Sequence, residues 1–92
     1  MKVRFAAEAL IHISGIRFYI EGRSPRAAKH VVERIFSEAD RLGGLPQLGC
    51  VGLVPGTHEW LVPRLPYIIV HEVNDATDEM AVLGVFHGAQ VR

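Results

Sequence analysis

The segment GRSP at residues 22–25 separates two helical patterns and decides how they are arranged. Before it, apolar residues recur at spacings of four, three and four over residues 6–21, which marks one face of a helix. After it, Ser24 can cap a second helix whose first residue is Pro25, because a first helical position leaves the backbone N–H unpaired in any case. A connection this short predicts an antiparallel helical hairpin.

The second helix is predicted to run from residue 25 and to end at Gly43-Gly44, since glycine is typical just after a helix. Its apolar positions again follow a spacing of four and three, and they are Ala28, Val32, Ile35, Ala39 and Leu42. Both helices therefore present an apolar face to a common core.

Strands are predicted on either side of the hairpin. Residues 1–5 alternate between polar and apolar side chains, which is typical of a brief strand, whereas glycine and proline predict a loop over residues 45–56. Three further strands are predicted at residues 58–62, 66–73 and 80–86, with a turn at residues 74–78. The middle one of these is apolar almost throughout, so it is predicted to be a central strand covered on both faces.

The order β-α-α-β-β-β predicts an α+β fold in which the helical hairpin packs on a small, mainly antiparallel sheet. With 92 residues, we expect one domain that covers residues 1–92. No apolar run approaches the length of a membrane span, and no secretory leader pattern opens the chain, so a cytoplasmic protein without a membrane partner is expected. Phosphate-binding loops, glycine-rich cofactor turns and nucleophile motifs are missing from the sequence, so no cofactor is expected.

Charge is unevenly distributed although the net charge is zero. Residues 1–42 contain eight Lys and Arg against five Asp and Glu, whereas residues 43–92 contain two against five. A neutral chain with an acidic second half gives no reason to expect direct, specific binding to nucleic acid.

Several short motifs occur in a characteristic order, and they are SPRAA at residues 24–28, LPQLG at 45–49, PGTHE at 55–59, LPYIIV at 65–70 and VFHGAQ at 85–90. This order resembles the RelE/ParE superfamily of toxins from type II toxin–antitoxin systems, and the ParE branch in particular. The resemblance implies a bacterial toxin that is blocked by a co-expressed antitoxin. It also implies one of two activities, since ParE-like members act on DNA gyrase and RelE-like members cut mRNA on the ribosome.

The residues favour the gyrase-binding activity, which is not enzymatic. Cleavage of mRNA needs an acid, a base and cations that hold the phosphate. Where ribonuclease members resembling the middle strand carry an arginine, this chain has Ile68, and its second half has only Arg64 and Arg92 as basic residues. A ribosome-dependent ribonuclease stays an alternative. So does an inactive homologue that only binds an antitoxin, because Cys50 and His58 stand where many relatives carry arginine.

Three histidines of the second half could suggest acid–base catalysis or a metal site, and they are His58, His71 and His87. Their spacing lacks the close pairs that are typical of a zinc site, so no metal is expected. Histidines on strands are expected at the surface or at a sheet edge. For His87, the first interpretation is a strand terminator next to Gly88, and target contact is the second.

Two groups of candidate binding residues follow from the resemblance and from residue type. The candidate target-binding residues are Arg64, His87, Gln90 and Arg92. The candidate antitoxin-binding residues are Leu10, Phe18, Val31 and Trp60, where Trp60 could equally well belong to the core.

Overall fold

The computed structural model describes residues 1–88, which form a helical hairpin packed on one face of a five-stranded sheet. The elements are β1 (Lys2–Phe5), α1 (Ala7–Glu21), α2 (Pro25–Gly44), β2 (Cys50–Val51), β3 (Thr57–Leu61), β4 (Tyr67–Asn74) and β5 (Glu79–His87). The strand order is β1-β5-β4-β3-β2, and β1 is parallel to β5 while the other neighbours are antiparallel. This confirms the predicted α+β fold.

The turn between the helices follows the sequence prediction. The Ser24 hydroxyl oxygen accepts the Ala27 N–H at 3.2 Å, and Pro25 is the first residue of α2. The cap satisfies one of the free N–H groups of the first turn, which stabilises a helix by about 1 kcal/mol.

Helix α2 ends at Gly44, as predicted, but neither Gly43 nor Gly44 has the left-handed backbone of a glycine that follows a helix, since both belong to it. At Gly43, an added Cβ would lie 2.6 Å from a methyl group of Val3 and 3.1 Å from the carbonyl oxygen of Met1. The Gly43 carbonyl also accepts a hydrogen bond from the terminal amino group of Met1 at 3.0 Å. Gly43 is therefore needed for the close approach of β1 to α2, and not for a turn.

The middle strand β4 is covered fully on one face only. Tyr67, Ile69 and His71 are buried beneath the helices, whereas Ile68 and Val70 on the opposite face are half-buried. The prediction of two covered faces was wrong for the second face, because both helices lie on the same side of the sheet. We call the side without helices the open face.

The predicted loop between α2 and β3 contains the short strand β2 at the outer edge of the sheet. Cys50 pairs with Glu59, and Val51 pairs with His58. Sequence patterns could not show this strand, because two residues are too few for any periodicity.

A polar cluster connects α2 to β3 at the border of the core. Glu38 is 7% exposed, and one of its carboxylate oxygens accepts the indole N–H of Trp60 and an N–H of Arg41, each at 2.9 Å. The Arg41 guanidinium lies 5.7 Å from the centre of the Trp60 ring. Trp60 is thereby held inside this chain by a carboxylate that is itself buried and paired.

Loss of the Glu38 carboxylate should destabilise the fold. Glu38→Ala leaves the Trp60 N–H without its acceptor, so we expect the free energy of unfolding to fall by roughly 1–3 kcal/mol. Chemical denaturation followed by tryptophan fluorescence measures this change. The matched control is Glu33→Ala at an exposed position of the same helix, which should stay within about 0.5 kcal/mol of the parent chain. Equal effects at the two positions would contradict the structural role of Glu38.

Candidate binding surfaces

Helix α1 is apolar on the side that faces solvent as well as on the side that faces the core. Leu10, Ile11, Phe18 and Tyr19 are all exposed, and Phe18 is 81% exposed. Gly15 lies among them, and an added Cβ there would meet no atom within 4 Å. Contiguous exposed apolar surface of this kind is typical of an interaction site. Neither helix in residues 1–88 is both long and apolar enough to cross a membrane.

An open groove of about 450 Å³ runs between α1 and the end of β5, and we call it the helix groove. Ile11, Gly15 and Tyr19 line one wall, and Tyr67 and His87 lie opposite. Burial raises the pKa of the Tyr67 hydroxyl, and Tyr19 raises it further, so the Tyr67 phenol stays neutral at physiological pH. The groove is therefore a mainly apolar surface with the neutral Tyr67 hydroxyl beside it.

The geometry of the helix groove depends on how α1 crosses the sheet. Strand β1 pairs with β5 only as far as Val82, so the outer edge of β5 continues without a strand neighbour in the described part of the chain. There the Val85 N–H donates a hydrogen bond to Nδ1 of His12 on α1 at 3.2 Å. Because Nδ1 accepts, a neutral His12 carries its proton on Nε2.

A ridge formed by His12 and Phe86 bounds the helix groove. The two ring centroids lie 4.8 Å apart at an interplanar angle of 52°. Beneath them, a Cβ at Gly84 would lie 2.7 Å from the Phe86 ring and 3.1 Å from Cε1 of His12. Only glycine at residue 84 allows the two rings to lie this close over β5.

A second groove, of about 470 Å³, lies on the open face across this ridge, and we call it the sheet groove. Leu53 and Val54 form its outer wall, Val70 and Phe86 contribute to its floor, and the carboxylates of Glu8 and Glu59 also line it. Since His12 and Phe86 line both grooves, the two surfaces are continuous.

The candidate target-binding residues that the structure describes lie at one end of the sheet. Arg64 is exposed in the turn between β3 and β4, with φ at 67°, and His87 is exposed at the end of β5. The rings of His87 and Tyr67 lie nearly perpendicular to each other with 5.6 Å between their centroids, and strand pairing places these two residues opposite each other. Gln90 and Arg92 lie outside the described residues.

The candidate antitoxin-binding residues separate into two pairs. Leu10 and Phe18 lie on the exposed side of α1. Val31 is 8% exposed and packs in the core, which leaves it almost no surface for a partner, and Trp60 is half-buried with its N–H bound to Glu38. Sequence reasoning missed Ile11, Gly15 and Tyr19, although their position off the buried face of an otherwise apolar helix was a usable signal.

The three histidines of the sheet lie in different environments: His58 is half-buried, His71 is buried and His87 is exposed. His71 is fully buried, so the expectation that it lies at the surface was wrong; its position on β4 faces the helices. Its Nε2 lies 3.2 Å from the Pro46 carbonyl oxygen, and its ring stacks on His58 with 5.6 Å between centroids. Within residues 1–88, no three His, Cys, Asp or Glu side chains are grouped as metal ligands.

A family model described as the ParE toxin of type II toxin–antitoxin system, parDE, matches residues 3–92. The chain belongs to the ParE toxin family. A relative from Sinorhizobium fredii named "Putative toxin Y4kP" is 33% identical over 89 residues, which cover 97% of this chain and 90% of that protein. This ParE toxin is thus a toxin of the type II toxin–antitoxin class, as the motif order predicted.

Solved structures share its fold at low sequence identity. The chromosomal ParDE system of Pseudomonas aeruginosa matches with a TM-score of 0.81 at 20% identity, over 95% of each chain. The intact RelBE toxin–antitoxin complex of Escherichia coli matches with a TM-score of 0.70 at 16% identity, over 98% of each chain. The ParE toxin therefore has a fold that ParE-type and RelE-type systems have in common, and the fold alone does not select an activity.

The buried His71 should make the stability of this ParE toxin depend on pH. Burial lowers the pKa of His71 and the neighbouring His58 adds to this, while the hydrogen bond to Pro46 opposes it. Below about pH 6.5, His71 of the unfolded chain binds a proton, whereas burial disfavours protonation of His71 in the folded chain. The free energy of unfolding should therefore fall as the pH decreases from 7.5 to 5.5, by at most about 1.4 kcal/mol per pH unit from this residue.

Urea denaturation at several pH values tests this dependence on one residue. His71→Gln keeps an N–H donor but cannot titrate, so it should flatten the pH profile. The same substitution at the exposed His30 should leave the profile as it is. An unchanged profile in His71→Gln would assign the pH dependence to other groups.

Proposed function

We propose that this ParE toxin inhibits DNA gyrase by binding to it in the bacterial cytoplasm, and that a cognate antitoxin neutralises it by covering α1. Membership of the ParE family supports the gyrase target, since gyrase is the target that the ParE branch implies. The observation that carries the non-enzymatic interpretation is the open face of the sheet, which offers apolar surface and carboxylates in its groove.

The chemistry of the open face argues against cleavage of RNA. A ribonuclease stabilises the charge that develops on a phosphate with cations placed around it. Among the described residues, no lysine or arginine lines the sheet groove, whereas Glu8 and Glu59 both line it. Ile68 is half-buried on the same face of β4. The two carboxylates repel a phosphate, and the described lining of the groove lacks the lysine or arginine that would hold one.

Contact with the target is proposed at the end of the sheet that carries Arg64 and His87, together with Gln90 and Arg92. Arg64 and His87 are exposed, so both are available to a partner. Charged and aromatic side chains at a surface of this kind are typical contributors to protein recognition.

Contact with the antitoxin is proposed on the exposed side of α1. Glycine inside a helix costs roughly 0.5–1 kcal/mol relative to alanine, and no neighbour in residues 1–88 explains why Gly15 stands there. Ile11, Phe18 and Tyr19 surround it with exposed apolar side chains. A partner segment that packs closely against the helix backbone would account for both observations.

Induction of this chain alone in a bacterium tests the target. Gyrase inhibition predicts that thymidine incorporation falls within minutes while leucine incorporation continues. An early loss of leucine incorporation would contradict the proposal and favour the ribosome-dependent ribonuclease. If a soluble, folded chain changes neither rate, the protein is an antitoxin-binding homologue without toxicity.

Substitution of Gly15 tests the antitoxin surface. Gly15→Leu fills the space against which the antitoxin is proposed to pack, so it should weaken binding of the co-expressed antitoxin at least tenfold while the fold stays intact. The matched control is Gly44→Leu, the same change at another helical glycine whose Cβ would meet no atom within 4 Å. Co-purification and calorimetry measure the affinities. Equal antitoxin binding by both variants would place the interface elsewhere.

A further inference from the structure

We propose that the sheet groove is the site at which the toxin holds its target, and that it takes an apolar side chain flanked by a lysine or arginine of gyrase. This inference rests on the proposed function, because it names the contact by which gyrase would be bound. It places the centre of the contact on the open face, next to the strand end that carries His87.

The outer wall of the sheet groove is unusual for a surface segment. Residues 42–58 contain no Asp, Glu, Lys or Arg. Within this segment Leu53 is 71% exposed and Val54 is 64% exposed. Loops that serve only as connections are usually polar, whereas adjacent exposed aliphatic side chains beside a groove are typical of a binding surface.

Local hydrogen bonds hold this wall in one conformation. The Val54 carbonyl oxygen accepts both the Thr57 hydroxyl at 2.6 Å and the Thr57 N–H at 3.1 Å. The Leu53 N–H donates to the Glu59 carboxylate at 3.3 Å, and the Gly52 N–H donates to the Thr57 carbonyl at 2.8 Å. A wall that is already ordered loses little conformational entropy when a partner binds, which favours affinity.

The floor of the groove is fixed as well. Gly84 allows the rings of Phe86 and His12 to lie directly over β5, and the N–H of Val85 holds the imidazole in place. A volume of about 470 Å³ is sufficient for a large apolar side chain and part of its neighbour.

The charge at the groove selects the kind of side chain that can sit beside the apolar anchor. Glu8 and Glu59 line the groove, and neither lysine nor arginine does so within residues 1–88. A cation next to the anchor gains from these carboxylates, whereas a phosphate or a carboxylate is repelled. The groove is therefore complementary to a basic apolar segment of a protein, and not to nucleic acid.

Binding of purified full-length toxin to purified gyrase subunits, measured by biolayer interferometry at low and high salt, tests this site. Leu53→Asp and Val54→Asp place a charge on the apolar wall and should each weaken binding at least tenfold. The matched control is Val51→Asp, which makes the same change at a residue that is 81% exposed on β2 but does not line the groove. It should stay within about twofold of the parent chain, since surface changes away from an interface have small effects.

A fourth variant tests the charge complementarity. Glu8→Gln should weaken binding several-fold and reduce its dependence on salt concentration, because a screened attraction is lost. Thermal unfolding of all four variants shows whether each is folded, and the exposure of the substituted side chains favours this.

The outcomes separate the inference from the proposed function. Loss of binding in Leu53→Asp and Val54→Asp, with binding retained in Val51→Asp, supports the sheet groove. Unchanged binding in both wall variants, or equal loss in Val51→Asp, overturns it while gyrase remains the target. If the parent chain binds neither gyrase subunit, the proposed function fails, and the inference fails with it.

Discussion

Strand β1 ends at Phe5, and from that point a helix instead of a strand covers the outer edge of β5. A sheet edge leaves backbone groups without partners. Here the His12 ring accepts the Val85 N–H, which replaces one hydrogen bond of a missing strand. Because this contact joins α1 to the sheet, it sets the width of the helix groove and the position of the ridge. The grooves on both sides of the ridge therefore depend on the position of one imidazole.

The hairpin could be predicted from the sequence because its signals act over a few residues. Ser24 and Pro25 mark the start of α2 independently of tertiary contacts, because a helix cap involves only neighbouring residues. The spacing of apolar residues marks the buried faces. The errors concern residues whose role depends on distant neighbours. Gly43 does lie at the predicted end of α2, but its role there is to give room to β1, which is far away in the sequence. His71 suggests a surface position, yet strand pairing turns it toward the helices.

The candidate site was only partly predictable for the same reason. Exposed Leu10 and Phe18 could be chosen because they are apolar and lie on α1. The grooves could not be foreseen, since residues as far apart as Leu53 and Gly84 meet only in the folded chain. Charge was a partial guide to the sheet groove. The acidic second half of the sequence contributes Glu59 to it, but the other carboxylate, Glu8, comes from α1 in the more basic first half.

The ridge also constrains how this toxin can evolve. Phe86 and His12 line both the groove beside α1 and the groove on the open face, so a substitution there changes two surfaces at once. If these grooves bind the antitoxin and the target as proposed, a variant that escapes its antitoxin through the ridge also loses affinity for its target. Under the same proposal, related toxin–antitoxin pairs diverge most easily at exposed positions away from the ridge, such as Phe18, where a substitution changes the choice of antitoxin alone.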